Sequence, residues 1–380
     1  MKKLSLLFML LLAASSACPA QNSREIKAVS GSTYAVRQGS YTPSFKYDGS
    51  RRSVRNVILL IGDGMGTGAI NAAMYANGGE LTMTSLKTMG YVRTQSADNF
   101  TTDSAASGTA YATGRKTRNG FLGVDTAAVE IKNLPEKLAP LGFACGIVST
   151  DELDGATPAA FFAHQRSRGA SEEIWADLAE SSLSFASAGS RKNFEKQPLK
   201  TRDSISEAFE VVYSCCDEDM DGSERLLYLP ESVKYDERGA YLPETTEMAI
   251  EYLSGRGDRG FFLMVEGARI DKEEHANNFD GMVKETLDFD KAVEAAIRFA
   301  ERDGHTLVII SADHETGAVT LGNCNPSDGY ASGVFASSGH SPVMVPLFAY
   351  GPHSREFTGT QENSDVGNKI FAILAGKAAE

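Results

Sequence analysis

The stretch that most limits how this chain can fold is "NVILLIGDGMG" (56–66), a nearly unbroken apolar run that stops at a glycine-rich turn. A strand with one wet face alternates apolar and polar residues, whereas an unbroken run is covered on both faces, as in a parallel sheet packed between helices. The form recurs in "FACGIVST" (143–150), "GFFLMVEG" (260–267), "HTLVIISADHE" (305–315) and "VPLFAYG" (345–351). Amphipathic stretches lie between these runs, for example "DFDKAVEAAIRFAERDG" (288–304), which closes on a helix-ending glycine. The alternation predicts an α/β fold: a three-layer sandwich with a mostly parallel central sheet, helices on both faces, and functional groups at the carboxyl edge of the strands. Residues 54–380 read as a single domain and 21–53 as an irregular lead-in. The least regular region is 190–240, where "CCDEDMDGSE" (215–224) suggests an exposed loop.

The strand ends carry the chemistry. Asp63 follows the first run, Glu266 and then Asp271 and His275 follow "FFLMV", and Asp313 with His314 follows "TLVII". A lone aspartate after a strand commonly caps a helix, and a lone histidine is commonly a surface residue. Carboxylates from three strands meeting at one edge would repel each other, however, unless cations held them together. Asp271 and His275 stand four apart, one face of a helix and a spacing that suits a metal. His340, in the Gly/Ser loop "SSGHSP", is a third candidate among only six histidines. Imidazole with carboxylate favours zinc, and oxygen ligands alone favour magnesium. Paired metals are suited to in-line displacement at phosphorus.

The run "TTDSAASGTA" (101–110) gathers hydroxyls around Asp103 and is expected to start a helix, which turns its positive end toward any bound anion. With "GDGMG", "ATPAAFFAHQRSR", "SAGSRKNF", "VEGARIDKEEH", "SADHE" and "GHSPVMVPLFAYGPH", it occurs in the order found in alkaline phosphatases, which the chain resembles over roughly residues 54 to 352. The resemblance implies a metal-dependent phosphomonoesterase of broad specificity that works at alkaline pH through a phosphoserine. It makes Ser104 the nucleophile and Arg168 the grip on two phosphate oxygens, with Asp103 orienting Arg168. Asp271, His275 and His340 would hold one zinc; Asp63, Asp313 and His314 would hold the second; Asp63, Thr157 and Glu266 would hold magnesium. Lys272 would stand near the phosphate. Ala105, Ala106 and Gly108 would leave clearance for phosphate and metals.

The chain departs from that pattern at Gly155, where many family members carry an aspartate or histidine beside the third metal. Two expectations follow: Asp154 could compensate, and Lys272, lacking a partner at 155, would approach phosphate directly. The 25 residues between His314 and His340 leave room for only a very small crown insertion (about 315–339), consistent with a monomer or a homodimer. Rival readings within the superfamily are a phosphodiesterase or a sulfatase; outside catalysis, the rival is a metal- or phosphate-binding protein.

The chain opens with Lys2, Lys3 and "LSLLFMLLLAA", a secretory signal over residues 1–20; cleavage after Ala17 instead would leave Cys18 to carry lipid. Export to the periplasm or the exterior is expected, with no transmembrane segment. The formal charge is −13, and about −15 without Lys2 and Lys3, which argues against nucleic acid or anionic membrane as partners and does not forbid a small anionic substrate; the small phosphate monoesters expected as substrates are what the resemblance implies. Cys145, Cys215, Cys216 and Cys324 are too scattered for a disulfide scaffold; one bridge could form, with the pair left open.

Overall fold

The structure, a computed structural model, describes residues 30–35, 37–214 and 223–376; the signal segment, Cys18 and most of the 215–224 loop fall outside the described residues. The apolar runs form the middle of a ten-stranded sheet. Its order is Gly359–Glu362, Thr88–Arg93, Val345–Tyr350, Thr306–Ser311, Asn56–Gly62, Gly260–Gly267, Phe143–Ser149, Phe185–Ser187, Leu226–Tyr228 and Glu210–Val212. Every residue of Asn56–Gly62 and of Phe143–Ser149 is buried, as an unbroken apolar run requires. Helices Thr67–Ala76, Tyr241–Ser254 and Phe279–Asp303 pack together on one side, and Ser104–Thr113, Leu134–Leu138 and Asn363–Leu374 on the other. The stretch expected to be helical at 288–304 is the second half of Phe279–Asp303. That helix is capped by the Asn278 side chain and ended by Gly304 at φ +70°.

Register sets the site. Ile61 is paired with Glu266 on one side and with Ser311 on the other, and Ser149 is paired with Glu266. Four adjacent parallel strands therefore end flush, and the residues that follow them emerge in one row. Val345–Tyr350 runs antiparallel to both of its neighbours. Its beginning, not its end, thus lies at the carboxyl edge of the parallel strands, which is how His340 reaches the row from the amino-terminal side.

Two expectations are corrected. The described part of 190–240 is more regular than expected: it supplies helices Arg191–Glu195 and Leu199–Ala208 and the edge strands Glu210–Val212 and Leu226–Tyr228. Nor is the lead-in wholly irregular, since Ser30–Thr33 pairs with Tyr330–Phe335, which also pairs with Val319–Leu321. A strand of four residues leaves little periodicity to read. Among the described residues Cys145 and Cys324 are free.

Candidate metal centre

Ser104 opens the helix Ser104–Thr113, and Asp103 caps it by accepting from Ala106 N–H at 3.0 Å. The same carboxylate accepts from Gly120 N–H and lies 3.3 Å from Arg168 Nη1, so it ties helix, loop and guanidinium together. The Arg168 side chain is 42% exposed, at the mouth of the site. Ser104 itself is buried, with Oγ 3.3 Å from His314 Nε2. The helix is locked onto the strand end by Ser107, which donates to the Asp313 carbonyl at 2.7 Å, and by Tyr111, which donates to the Ala312 carbonyl at 2.9 Å.

The small residues of this helix also serve packing. Ala105 and Ala106 are buried, and a Cβ on Gly108 would lie 3.2 Å from Ala160 Cβ and 3.4 Å from Thr157 Cα. The bare glycine thus lets the short helix Ala156–Ala159 come close, carrying Thr157 with it. Gly64, at φ +74°, is equally constrained: a Cβ there would stand 2.6 Å from Glu274 Oε2 and 2.9 Å from the Asp271 backbone.

Three histidines define the centre through the nitrogen that does not face it. His275 Nδ1 lies 2.7 Å from the Ser338 carbonyl, and His340 Nδ1 lies 2.9 Å from the Thr102 carbonyl. A carbonyl can only accept, so both Nδ1 atoms carry a proton. Thr316 Oγ1 donates to Asp271 Oδ1 at 2.6 Å, so it accepts from His314 Nδ1 at 3.1 Å, and that ring takes the same tautomer. All three Nε2 atoms then point inward. Those of His275 and His340 are 3.2 Å apart, a contact between two lone pairs unless a proton or a metal ion lies between them. His314 Nε2 lies 3.2 Å from Asp313 Oδ2 and 3.5 Å from Asp63 Oδ1. Ligand atoms of Asp271, His275 and His340 all come within 4.8 Å of one another, and so do those of Asp63, Asp271 and His314. Asp271 thus belongs to both groups.

The carboxylates are short of partners. Asp63 Oδ1, Glu266 Oε1, Asp313 Oδ2 and both oxygens of Glu274 are buried without a hydrogen bond, as is Thr157 Oγ1. Burial, and then the charges of Asp313, Asp271 and Glu266, push the Asp63 carboxyl well above its usual range. Burial and the Asp151 charge push Glu266 up to about 8. Burial alone would raise Asp271 too, but the hydrogen bond to His275 and the neighbouring His314 hold it below the usual range; the same bond raises His275 to about 9. Buried, unpaired oxygens of this kind facing inward-pointing imidazole nitrogens fit divalent cations: nitrogen and oxygen donors at the two histidine groups suit zinc, and the oxygens of Asp63, Thr157 and Glu266 suit magnesium.

Sequence reasoning placed Asp63, Ser104, Asp271, His275, Asp313, His314 and His340 in one cluster, and the structure brings them together. It corrects two readings at the Gly155 end. Lys272 is not free to approach phosphate, because Nζ is bound to Asp151 Oδ1, and Asp154 accepts instead from Ser171 Oγ. Thr316, Asp151 and Ser149, which donates to Glu266 Oε2, were missed. A hydroxyl or carboxylate at or just past a strand end was the one available signal for the last two.

A family model described as alkaline phosphatase matches residues 54–205 and 229–333. Alkaline phosphatase 3 of Bacillus subtilis is 35% identical, over 87% of this chain and 91% of its own length. The alkaline phosphatase of Escherichia coli is 31% identical, over 89% of this chain and 90% of its own. Among solved structures, the alkaline phosphatase of the Antarctic bacterium TAB5, as a histidine-to-glutamate variant with magnesium bound in its M3 site, superposes with a TM-score of 0.80 at 34% identity. That match covers 86% of this chain and 99% of the other.

Proposed function

The chain belongs to the alkaline phosphatase family and is a phosphoric monoester hydrolase, and from that premise we propose that it releases inorganic phosphate from a broad range of monoesters through a phosphoserine on Ser104. The observation that carries this reading is the position of Ser104 Oγ, buried at a helix start and 3.3 Å from the inward-facing His314 Nε2. The Ser104 Oγ–P bond forms as the P–O bond to the alcohol breaks; water then attacks phosphorus, returning Ser104 and releasing phosphate. Arg168, steered by Asp103, binds two equatorial oxygens with its planar fork, and the helix dipole favours the anion at the same point.

Asp271, His275 and His340 would hold one zinc, Asp63, Asp313 and His314 a second, and Asp63, Thr157 and Glu266 a magnesium. When bound, these ions supply Lewis acidity toward the serine hydroxyl, the water and the leaving oxygen. Export is also proposed, with the signal over residues 1–20 or lipid on Cys18; among the described residues no helix is long and apolar enough to cross a membrane. The chain is read as a monomer or a homodimer.

The test is hydrolysis of para-nitrophenyl phosphate, its bis ester and the corresponding sulfate from neutral to alkaline pH, before and after chelation, with zinc and magnesium added back. Fastest turnover of the monoester, lost on chelation and restored by metal, is expected. Preference for the diester or the sulfate, or activity that survives full chelation, overturns the proposal.

A further inference from the structure

Asp151 stands two residues past the end of strand Phe143–Ser149, in the row of residues that follow the parallel strands. Its backbone is pinned on both sides: the N–H donates to Ser149 Oγ at 2.8 Å, and the carbonyl accepts from Gly189 N–H at 2.7 Å. Ser149 Oγ in turn donates to Glu266 Oε2, so the strand end links Asp151 to that buried carboxylate. One carboxylate oxygen, Oδ1, takes the Lys272 ammonium. The other, Oδ2, takes up space a side chain at position 155 would need, since a Cβ on Gly155 would fall well inside van der Waals contact of it, and would also lie 2.8 Å from the Glu152 carbonyl oxygen. The turn that returns Gly155 N–H to the Glu152 carbonyl at 2.8 Å brings the two positions together. The glycine and the aspartate are therefore one arrangement: the bare backbone at 155 admits a carboxylate delivered from 151.

We propose that Asp151 is a positioning residue of the third cation site: its carboxylate, admitted by Gly155, holds the Lys272 ammonium away from phosphate and neutralises that positive charge beside Glu266. The inference rests on the phosphatase reading given above. Two effects of opposite sign follow from one side chain. The cation site is strengthened, because the Lys272 charge that would oppose a cation at the buried, partnerless Glu266 Oε1 is neutralised by Asp151. Product phosphate is held less tightly, because the cation nearest to Asp151 is already paired.

The experiment uses full-length zinc-loaded protein. Magnesium binding is followed by calorimetry, and the inhibition constant of inorganic phosphate is measured at saturating magnesium. Asp151→Asn, which keeps the shape and removes the charge, should weaken magnesium binding about 10-fold or more and should tighten phosphate inhibition several-fold. In a Lys272→Ala background the same substitution should no longer change phosphate inhibition, because the released ammonium is gone. Gly155→Asp alone should bind magnesium poorly, since its side chain would meet both the Asp151 carboxylate and the Glu152 carbonyl. Thermal melts check that each variant is folded.

Unchanged magnesium affinity and phosphate inhibition in Asp151→Asn overturns the proposal, and so does an unaltered effect of Asp151→Asn on phosphate inhibition in the Lys272→Ala background. Failure of the phosphatase reading is distinguishable, because the unmodified protein would then neither hydrolyse para-nitrophenyl phosphate nor respond to phosphate. The magnesium calorimetry would still decide the role of Asp151.

Discussion

Replacing Thr316 by valine removes one hydroxyl and nothing else of consequence to packing, because the residue is fully buried in a strand and valine has its shape. That hydroxyl donates to Asp271 Oδ1 at 2.6 Å and accepts from His314 Nδ1 at 3.1 Å. It therefore holds a carboxylate shared by both ligand groups and fixes the tautomer that turns His314 Nε2 toward Ser104. Hydrogen bonds to charged groups contribute about 1.5–3 kcal/mol, and every 1.4 kcal/mol is about tenfold in affinity. Zinc affinity in Thr316→Val should accordingly fall about 10- to 100-fold, in the range for partners that orient metal ligands. The assay is competition for zinc against a chromophoric chelator, paired with kcat/KM as zinc is titrated. The variant should regain most of its activity in excess zinc, and Thr316→Ser, which keeps the hydroxyl, should behave like the unmodified protein. Zinc affinity equal to that of the unmodified protein in Thr316→Val refutes the reasoning, as does a serine variant as weak as valine.

Arg168→Ala should raise KM for para-nitrophenyl phosphate about 10- to 100-fold, while changing the unfolding free energy by no more than about 0.5 kcal/mol, because the side chain is 42% exposed; an unaltered KM contradicts its role. Gly64→Ala should cost about 1–3 kcal/mol from backbone strain alone, plus the clash with Glu274 and Asp271, and should show a depressed chemical-denaturation midpoint even with metals present. Stripped of metal, the protein should lose stability as pH rises from about 6.5 to about 9. His275, raised from 6.5 to about 9, and Glu266, raised from 4.5 to about 8, hold protons in the folded state that the unfolded chain has released, and Asp63 and Glu274 shift in the same direction. Burial lowers His314, which acts on the acid side, below this window. Melts in chelator at the two pH values check the sign, and a rise in stability toward pH 9 contradicts it.

The middle of the sheet and the groups at its edge were legible because a strand buried on both faces has no choice of pattern: "NVILLI" must be followed by a turn, and Asp63 must emerge there. The edges were not. Thr88–Arg93 alternates buried and exposed residues over six positions, too short a pattern to stand out, and Leu226–Tyr228 has only three residues. The ligands could be named one by one, but not the groups that aim them. Asp151 and Lys272 are 121 residues apart, and Asp271 and Thr316 are 45 apart. The expectation that Gly155 would free Lys272 failed for the same reason: an absent side chain at one position is space that another position fills.

On the proposed mechanism Ser104 carries the phosphoryl group. Zinc-loaded protein mixed with radiolabelled para-nitrophenyl phosphate, quenched in acid within one turnover and digested, should yield label on the peptide spanning Ser104. Ser104→Ala should carry none, even if slow direct hydrolysis persists. Label on a different residue, or full turnover by Ser104→Ala at the rate of the unmodified protein, would contradict the account.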